Sequence, residues 1–486
     1  MFKYYSLSLF TVACMLIAGC NSSEVAGTNA VAQEDTQETA APNIILFVAD
    51  DLGWSDVSYQ GSEIQTPELD RLAAGGARFD RFYAQPLCSP TRGAIMTGRS
   101  PVRTGVLKPF EPWYEEGLPL NEKILPQYFK EEGYDTYAIG KWHLGPNHVS
   151  YHPQNRGFDY FYGSVNGFFN HYTHAVWRGV DWQRNGETVI EEGYSTELIA
   201  DDVIRIIQSQ DENTPLLLYV AMQAPHTPLQ APEAAIAEYA HIEDETRRVF
   251  AAMVSEMDRQ IARVMTALDD SSMADNTLVM FISDNGGNEN LGANNGEYRG
   301  GKTSPLEGGI HVPALMYWPG QIAAGTEYAD LFAVEDILPT FLGVAGVDQE
   351  YPLPIDGVNK WPAISQGIEV EDNESILVKW SDAGADYDYA YFKDDWKMVQ
   401  LMVDGTKQHS LFSILEDPYE QNDLAAEFPE VVTDLVNRFE AIPKGKVAGL
   451  GSPPPPTITG LGGPGSIEAD FRPLEIPPYT ETMRTD

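Results

Sequence analysis

The chain has 486 residues, 43% hydrophobic and 21% charged, a balance that excludes intrinsic disorder and leaves room for a main domain and a smaller one. Its 31 Lys and Arg against 72 Asp and Glu give a formal net charge of −41; a surface of that sign repels polyanions at long range and argues against nucleic acid as a partner. An anionic substrate would need a local basic pocket and enough salt to screen the rest, the Debye length being about 8 Å at ~0.15 M. Such acidity fits a saline habitat and simple solubility equally well.

The chain opens with Lys3 and an apolar run through Leu7, Leu9, Phe10, Val12, Met15, Leu16 and Ile17, closing on Ala18-Gly19-Cys20. This is short for a membrane span and has the shape of a secretory signal. Ile17-Ala18-Gly19-Cys20 also resembles a bacterial lipobox, in which Cys20 is lipidated, holds the protein to the membrane and becomes the mature N-terminus. Cleavage to a soluble periplasmic form is the alternative. Asn21, where Asp would favour inner-membrane retention, points to an outer-membrane lipoprotein. Residues 1–20 are therefore read as a lipoprotein signal peptide. Residues 21–42, rich in Ser, Thr, Ala, Gln and Glu without apolar periodicity, are read as a flexible linker.

From residue 43, apolar runs alternate with amphipathic stretches, the pattern of an α/β protein. Residues 43–49 are continuously apolar, as in a strand buried on both faces, and end at Asp50-Asp51. Thr66-Pro67 makes an N-cap and first turn for a helix with Leu69, Leu72 and Ala73 on one face and Gly75-Gly76 as its stop. Residues 124–132 repeat the helical spacing and stop at Gly133; the strand-like 134–139 follows and ends at Gly140-Lys141-Trp142-His143. A helix over 196–209 and a buried strand over 216–222 lead to Ala224-Pro225-His226. A long helix over 246–268 precedes a strand over 277–282, which ends at Ser283-Asp284-Asn285-Gly286. Four predicted strands thus deliver polar residues at their carboxyl ends, and in an open parallel sheet those ends form the ligand crevice, so these residues should converge. This main domain is assigned to 43–370. Short antiparallel strands over 376–380, 390–393, 396–401 and 408–414 and a closing helix over 427–442 make a small second domain, 371–445. A Gly- and Pro-rich tail occupies 446–486.

Asp50, Asp51, Asp284 and Asn285 are oxygen donors, three of them anionic, with no Cys or His pattern suggestive of zinc. Hard oxygen ligands select a hard cation, Ca²⁺ first and Mg²⁺ second. An isolated Asp-Asp pair is usually a strand-end turn or helix cap; a second donor pair at another strand end reverses that weighting. Arg92, Lys141 and Lys302 supply permanent positive charge, and His143 and His226 exchange protons near neutral pH. Singly these would pass for surface decoration. Their placement in Gly140-Lys141-Trp142-His143-Leu144-Gly145 and Ala224-Pro225-His226-Thr227-Pro228 favours function. Of three cysteines, Cys14 lies in the leader and Cys20 at its end, so Cys88 has no partner for a structural disulfide. A lone Cys is usually one more small buried hydrophobe. Against that stand Pro90 and Arg92 in Cys88-Ser89-Pro90-Thr91-Arg92, followed by Gly93-Ala94-Ile95-Met96-Thr97-Gly98-Arg99.

This run resembles the signature of the type I sulfatases, in which the Cys of C-x-P-x-R is oxidised to formylglycine, whose aldehyde hydrate is the nucleophile. The likeness extends from about Asn43 to Gly320, through Gly300-Gly301-Lys302-Thr303-Ser304 and Glu307-Gly308-Gly309. It returns at Leu411-Phe412-Ser413-Ile414-Leu415-Glu416-Asp417-Pro418 and Asn422-Asp423-Leu424-Ala425. The resemblance implies an alkaline-phosphatase-like α/β fold: a central, mostly parallel sheet flanked by helices, with a smaller C-terminal α+β subdomain on an antiparallel sheet. It also implies that Cys88, as formylglycine, joins Asp50, Asp51, Asp284 and Asn285 around Ca²⁺. Arg92 and Lys141 would hold the hydrated aldehyde, and Lys302 the sulfate. His226 would protonate the departing sugar oxygen with Lys302 assisting, and His143 would take a proton from the second hydroxyl of the hydrate. Many relatives carry Arg where this chain has His311, which leaves the role of that position open.

An anchored, exported sulfatase points to environmental sulfate esters: algal polysaccharides such as carrageenan or ulvan, glycosaminoglycans, or small aryl sulfates, with the acidic composition favouring marine algal glycans. The motifs resemble the arylsulfatase B-like branch, a lead toward galactose-type 4-sulfates. The maturation partner would be either the oxygen-dependent formylglycine-generating enzyme or the anaerobic, radical sulfatase-maturating enzyme. The rival readings are a phosphonate monoester or phosphodiester hydrolase of the same superfamily and an inactive glycan-binding homologue. The aromatic stretch from Phe168 to Trp177, including Tyr172 and His174, reads equally as a sugar-stacking loop or as core.

Overall fold

The computed structural model describes residues 40–176, 179–370, 374–381 and 386–449. The signal segment, Cys20, most of the linker, Trp177 and most of the tail lie outside the described residues.

The apolar run Asn43–Ala49 is strand β1, buried at every position. Nine further strands join it: β2 (Ala77–Phe79), β3 (Asp135–Lys141), β4 (Tyr160–Ser164), β5 (Gln183–Arg184), β6 (Glu187–Thr188), β7 (Leu216–Ala221), β8 (Thr277–Ser283), β9 (Ala314–Tyr317) and β10 (Thr326–Tyr328). Among the described residues the sheet order is β10-β2-β9-β8-β1-β7-β3-β4-β5-β6. The five central strands, β8, β1, β7, β3 and β4, are parallel, and antiparallel pairs flank them, with β9 on one side and β5 and β6 on the other. Alternation along β1 sends Ile44, Leu46 and Val48 to one face and Ile45, Phe47 and Ala49 to the other.

Helices cover both faces. The relevant ones are α1 (Pro67–Gly75), α2 (Cys88–Thr97), α3 (Ser195–Ser209), α4 (Glu245–Asp269) and the one-turn α5 (Glu307–Ile310). Ala94, Ile95 and Met96 of α2 pack on the Leu46 face; Ile199 and Val203 of α3 and Met253 and Met257 of α4 pack on the Phe47 face. Thr66 precedes α1 as expected but does not cap it. Its Oγ1 accepts from the Ser58 N–H at 2.8 Å, while the Asp258 carboxylate of α4 accepts from the Glu68 and Leu69 N–H groups at 3.1 and 2.9 Å. A carboxylate at a helix N-terminus also meets the positive end of the helix dipole, which a hydroxyl does not match.

The second sheet is an antiparallel meander of β11 (Glu374–Trp380), β12 (Tyr387–Lys393), β13 (Trp396–Val403) and β14 (Thr406–Ser413). One face packs on helix α6 (Pro429–Ala441), where Tyr389 stacks on Phe439 at 3.7 Å; the other, through Leu377, Ala390, Phe392, Val399 and Phe412, meets Tyr83, Ile310 and Leu331 of the main body. Strand β14 starts two residues before the expected 408 because Asp404-Gly405 forms a two-residue hairpin turn, both at positive φ (50° and 74°), that pairs Val403 with Thr406. The polar Thr406, Lys407 and Gln408 carry no apolar alternation to announce a strand.

Candidate active site

Register brings the predicted residues together. Ala49 of β1 pairs with Ser283 of β8, and Val48 with Ala221 of β7, which pairs in turn with Gly140 of β3. Asp50 and Asp284 therefore emerge at one level of the sheet, and Lys141, level with Ala49, one residue before them. Gly140 sits at φ 98° with the Ala221 carbonyl oxygen 2.0 Å from where a Cβ would lie, so no other residue fits this strand end.

Cys88 opens α2 and Arg92 follows one turn later on the same side of the helix. The Arg92 guanidinium is fully buried. Its Nε and Nη2 donate to Asp284 Oδ2 at 3.0 and 2.8 Å, and its Nη1 donates to the Lys141 carbonyl at 2.7 Å and reaches the Tyr219 hydroxyl at 3.4 Å. Lys141 Nζ pairs with Asp50. Lys302 Nζ lies 2.5 Å from Asp51 Oδ1, and Asn285 Nδ2 donates to the same oxygen at 2.8 Å. Burial opposes charge on Asp51, but Lys302 and His226 outweigh it and hold the carboxyl below the usual range. At Asp284, burial and then repulsion from Asp50 prevail over Arg92 and raise the carboxyl to about 6.

Both histidines are fixed in orientation by carbonyls. His143 Nε2 lies 3.1 Å from the Phe110 carbonyl oxygen and therefore carries the hydrogen, leaving Nδ1 as an acceptor 3.3 Å from Cys88 Sγ. Burial, reinforced by Lys141 and Arg92, pushes this ring well below the usual range; it is a neutral base aimed at residue 88. His226 Nδ1 donates to the Thr227 carbonyl at 2.7 Å, and Nε2 faces Asp51 Oδ2 at 3.8 Å. Burial and Lys302 bring it down to about 3 against the pull of Asp51.

All ten predicted site residues are thus brought together: the Asp51 N–H donates to Asp284 Oδ1 at 3.4 Å and so links Asp50, Asp51, Arg92, Lys141, His226, Asp284, Asn285 and Lys302 into one network, and the Cys88–His143 pair lies within the field of Lys141 and Lys302. Asp51, His143 and Thr303 hold left-handed backbone angles, φ 67°, 59° and 78°, the kind of stored strain that collects at functional sites. Two buried acceptors, Asp50 Oδ1 and Asn285 Oδ1, have no hydrogen-bond partner, and ligand atoms of Asp50, Asp51 and His226 lie within 4.8 Å of one another. Oxygen atoms left open among three carboxylates suit a hard divalent cation.

Sequence reasoning missed three supporting groups. Ser89 Oγ donates to the His143 carbonyl at 2.8 Å and accepts from the Phe110 N–H at 3.2 Å; the others are the Phe110 carbonyl and the Tyr219 hydroxyl. Only Ser89, inside the Cys88 motif, carried a signal. The aromatic stretch is largely core: Phe169 and His174 pack on Trp182, the His174 ring stacking at 4.7 Å, and His171 bonds Ser195 Oγ at 2.8 Å. Among the described residues, Tyr172 is the exposed aromatic of the stretch. His174→Ala is expected to lower stability by about 2 kcal/mol in chemical denaturation while leaving KM unchanged. His311 is buried among Trp54, Tyr298 and Tyr83 and bonds Glu307 at 2.9 Å, so it braces the wall rather than reaching the crevice.

A buried cysteine at a helix start, faced by an imidazole and close to carboxylates and cations at the carboxyl ends of a parallel sheet, fits a hydrolase of the alkaline-phosphatase-like superfamily. The sulfatase family model matches residues 42–347, and the model for the C-terminal part of N-sulphoglucosamine sulphohydrolase matches 302–444. The chain belongs to the sulfatase family and is a sulfuric ester hydrolase. It is 32% identical to arylsulfatase J of Mus musculus over 84% of this chain and 77% of that one. It is 35% identical to N-acetylgalactosamine-6-sulfatase of Homo sapiens over 67% and 66%. The crystal structure of Ps i-CgsB in complex with k-i-k-neocarrahexaose is similar at a TM-score of 0.79 and 32% identity, over 84% of this chain and 94% of that one.

Proposed function

We propose that this protein is an exported lipoprotein sulfatase that removes sulfate from marine algal galactans of the carrageenan type, using formylglycine at residue 88 and calcium. The chemistry rests above all on His143 Nδ1 standing 3.3 Å from Cys88 Sγ with its other nitrogen locked on a carbonyl. The substrate class rests on the likeness to Ps i-CgsB bound to a neocarrahexaose. Export and anchoring rest on the leader and Cys20.

When present, formylglycine supplies a hydroxyl nucleophile and the divalent cation supplies a Lewis acid. Asp50, Asp51, Asp284 and Asn285 would hold the cation, together with residue 88. Lys302 binds and orients the sulfate group, its charge maintained because Asp51 offsets the cost of burial. Arg92 and Lys141 stabilise negative charge at residue 88. His143 Nδ1 takes a proton there, and His226 Nε2 faces the side from which the sugar oxygen departs.

The test is release of sulfate from carrageenan oligosaccharides by protein made in a host with a maturation enzyme, with residue 88 checked by mass spectrometry. Sulfate release together with formylglycine is the expected result. A fully matured protein inactive on every sulfated galactan overturns the substrate class. Dialysis against a chelator is expected to abolish activity and lower the melting temperature, because three crowded carboxylates then lose their counter-charge. Calcium should restore both better than magnesium, which tolerates irregular geometry poorly.

A further inference from the structure

A second cluster of buried charge lies outside the site, where the second sheet meets the main body. Lys397 of β13 donates to Glu307 Oε1 at 2.6 Å and makes an ion-pair contact of 2.7 Å with Glu420 Oε1. Glu420 Oε2 accepts from the Glu307 N–H at 3.0 Å; Glu307 Oε2 accepts from the Tyr83 hydroxyl at 3.2 Å and meets His311 Nδ1 at 2.9 Å. His311 Nε2 lies 2.8 Å from the Asp80 carbonyl oxygen. None of these side chains is more than a few per cent exposed. Burial works against the charge on Glu307, and Lys397 and His311 outweigh it, bringing the carboxyl down to about 2.

Glu307 opens α5, and α5 is the floor of the site. The Gly308 N–H donates to the Arg299 carbonyl at 2.7 Å, and the Gly309 carbonyl accepts from the Gly286 N–H at 2.9 Å. The stack has no side chains between its layers: a Cβ at Gly308 would lie 2.3 Å from the Gly300 carbonyl oxygen, at Gly309 2.4 Å from that of Gly301, and at Gly286 1.9 Å from that of Gly308. Layers in direct backbone contact pass on displacement instead of absorbing it. The upper layers carry Lys302, whose N–H donates to the Gly287 carbonyl at 3.1 Å, and Asn285, whose amide reaches Asp51. Arg299 also donates to the Glu420 carbonyl, tying the Lys302 loop directly to the C-terminal segment.

We propose that Lys397, Glu307 and Glu420 are positioning residues of the active site: by clamping α5 they set the place of Lys302 and of the Asn285 end of the metal set, so that the second sheet is a working part of the site. This rests on the sulfatase reading above. Lys397 reaches neither substrate nor cation; it acts through Glu307, then Gly308 and Gly309, then the two site segments.

The test compares matured full-length wild type with Lys397→Met, Lys397→Arg and Glu420→Gln at a temperature where circular dichroism shows each fully folded, rates being expressed per formylglycine-bearing molecule. Lys397→Met and Glu420→Gln are expected to lower kcat about 10- to 100-fold with KM little changed, and to weaken calcium binding in titration calorimetry about 10-fold. Lys397→Arg, which keeps the cation, should retain most of both. A folded Lys397→Met or Glu420→Gln with wild-type kcat and calcium affinity overturns the proposal, whatever its melting temperature. If Lys397→Met does not fold, Glu420→Gln, which leaves the cation beside Glu307, decides. A wild type inactive on sulfate esters would sink the functional reading instead, and the calcium titrations would still decide the clamp.

Discussion

Replacing Cys88 with alanine is expected to reduce sulfate release to background, a loss on the order of 10⁶-fold, as when other hydrolases lose their nucleophile. The fold should survive. Residue 88 is the first position of α2, where alanine is a good helix former, and deleting one buried sulfur costs about 1 kcal/mol. Protein made without a maturation enzyme should match the variant for an electrostatic reason. Burial, with Asp284 and Asp50 nearby, prevails over Lys141 and Lys302 and raises the Cys88 thiol, so the unmodified side chain stays protonated near neutral pH and is a weak nucleophile. Ion chromatography of released sulfate beside circular dichroism checks both points. Unchanged release by Cys88→Ala would falsify the assignment of residue 88.

Four of the five central strands were legible, three as apolar runs and β3 from its strand-like stretch after Gly133; β4, a five-residue strand after the Gly157-Phe158-Asp159 turn, gave no such signal. Their polar ends converge because register, not residue type, places Asp50 and Asp284 at one level and Lys141 one residue away. Helix α2 was not legible: all ten of its residues are buried, Arg92 included, so no amphipathic stripe marks it. The partners of the charges were hidden as well. Nothing local tells that Arg92 spends its fork on Asp284 and the Lys141 carbonyl, or that Phe110 sets the tautomer of His143; these contacts span 192, 49 and 33 positions. Left-handed backbone at Asp51 and His143 is uncommon outside glycine, though Asp and His tolerate it better than most residues, and nothing in the local sequence announces it. The α5 clamp escaped for a related reason. Lys397 lies in a strand of the second sheet and reads as a solvent-facing charge until the main body is seen to cover that face.

His226→Ala is expected to separate substrates by their leaving groups. A sugar alkoxide needs a proton as the ester bond breaks, whereas a nitrophenolate leaves unassisted. The variant should therefore lose about 10²- to 10⁴-fold on a sulfated oligosaccharide and far less on nitrophenyl sulfate. The geometry supports this asymmetry: His226 Nδ1 is committed to the Thr227 carbonyl, so Nε2 alone is available, and its side chain is 13% exposed where the ring of His143 is enclosed. In the free enzyme, burial and Lys302 keep His226 neutral; an anionic ester bound beside it would shift the ring toward the protonated form that a general acid needs. Its position within 4.8 Å of ligand atoms of Asp50 and Asp51 offers a competing role as a metal ligand. The two roles part in one comparison. A ligand lost would weaken calcium binding and slow both substrates alike, whereas an acid lost leaves calcium affinity intact and slows only the sugar ester. His143→Ala, which removes the base at residue 88, should slow both substrates equally, because that proton transfer is common to every ester the enzyme hydrolyses.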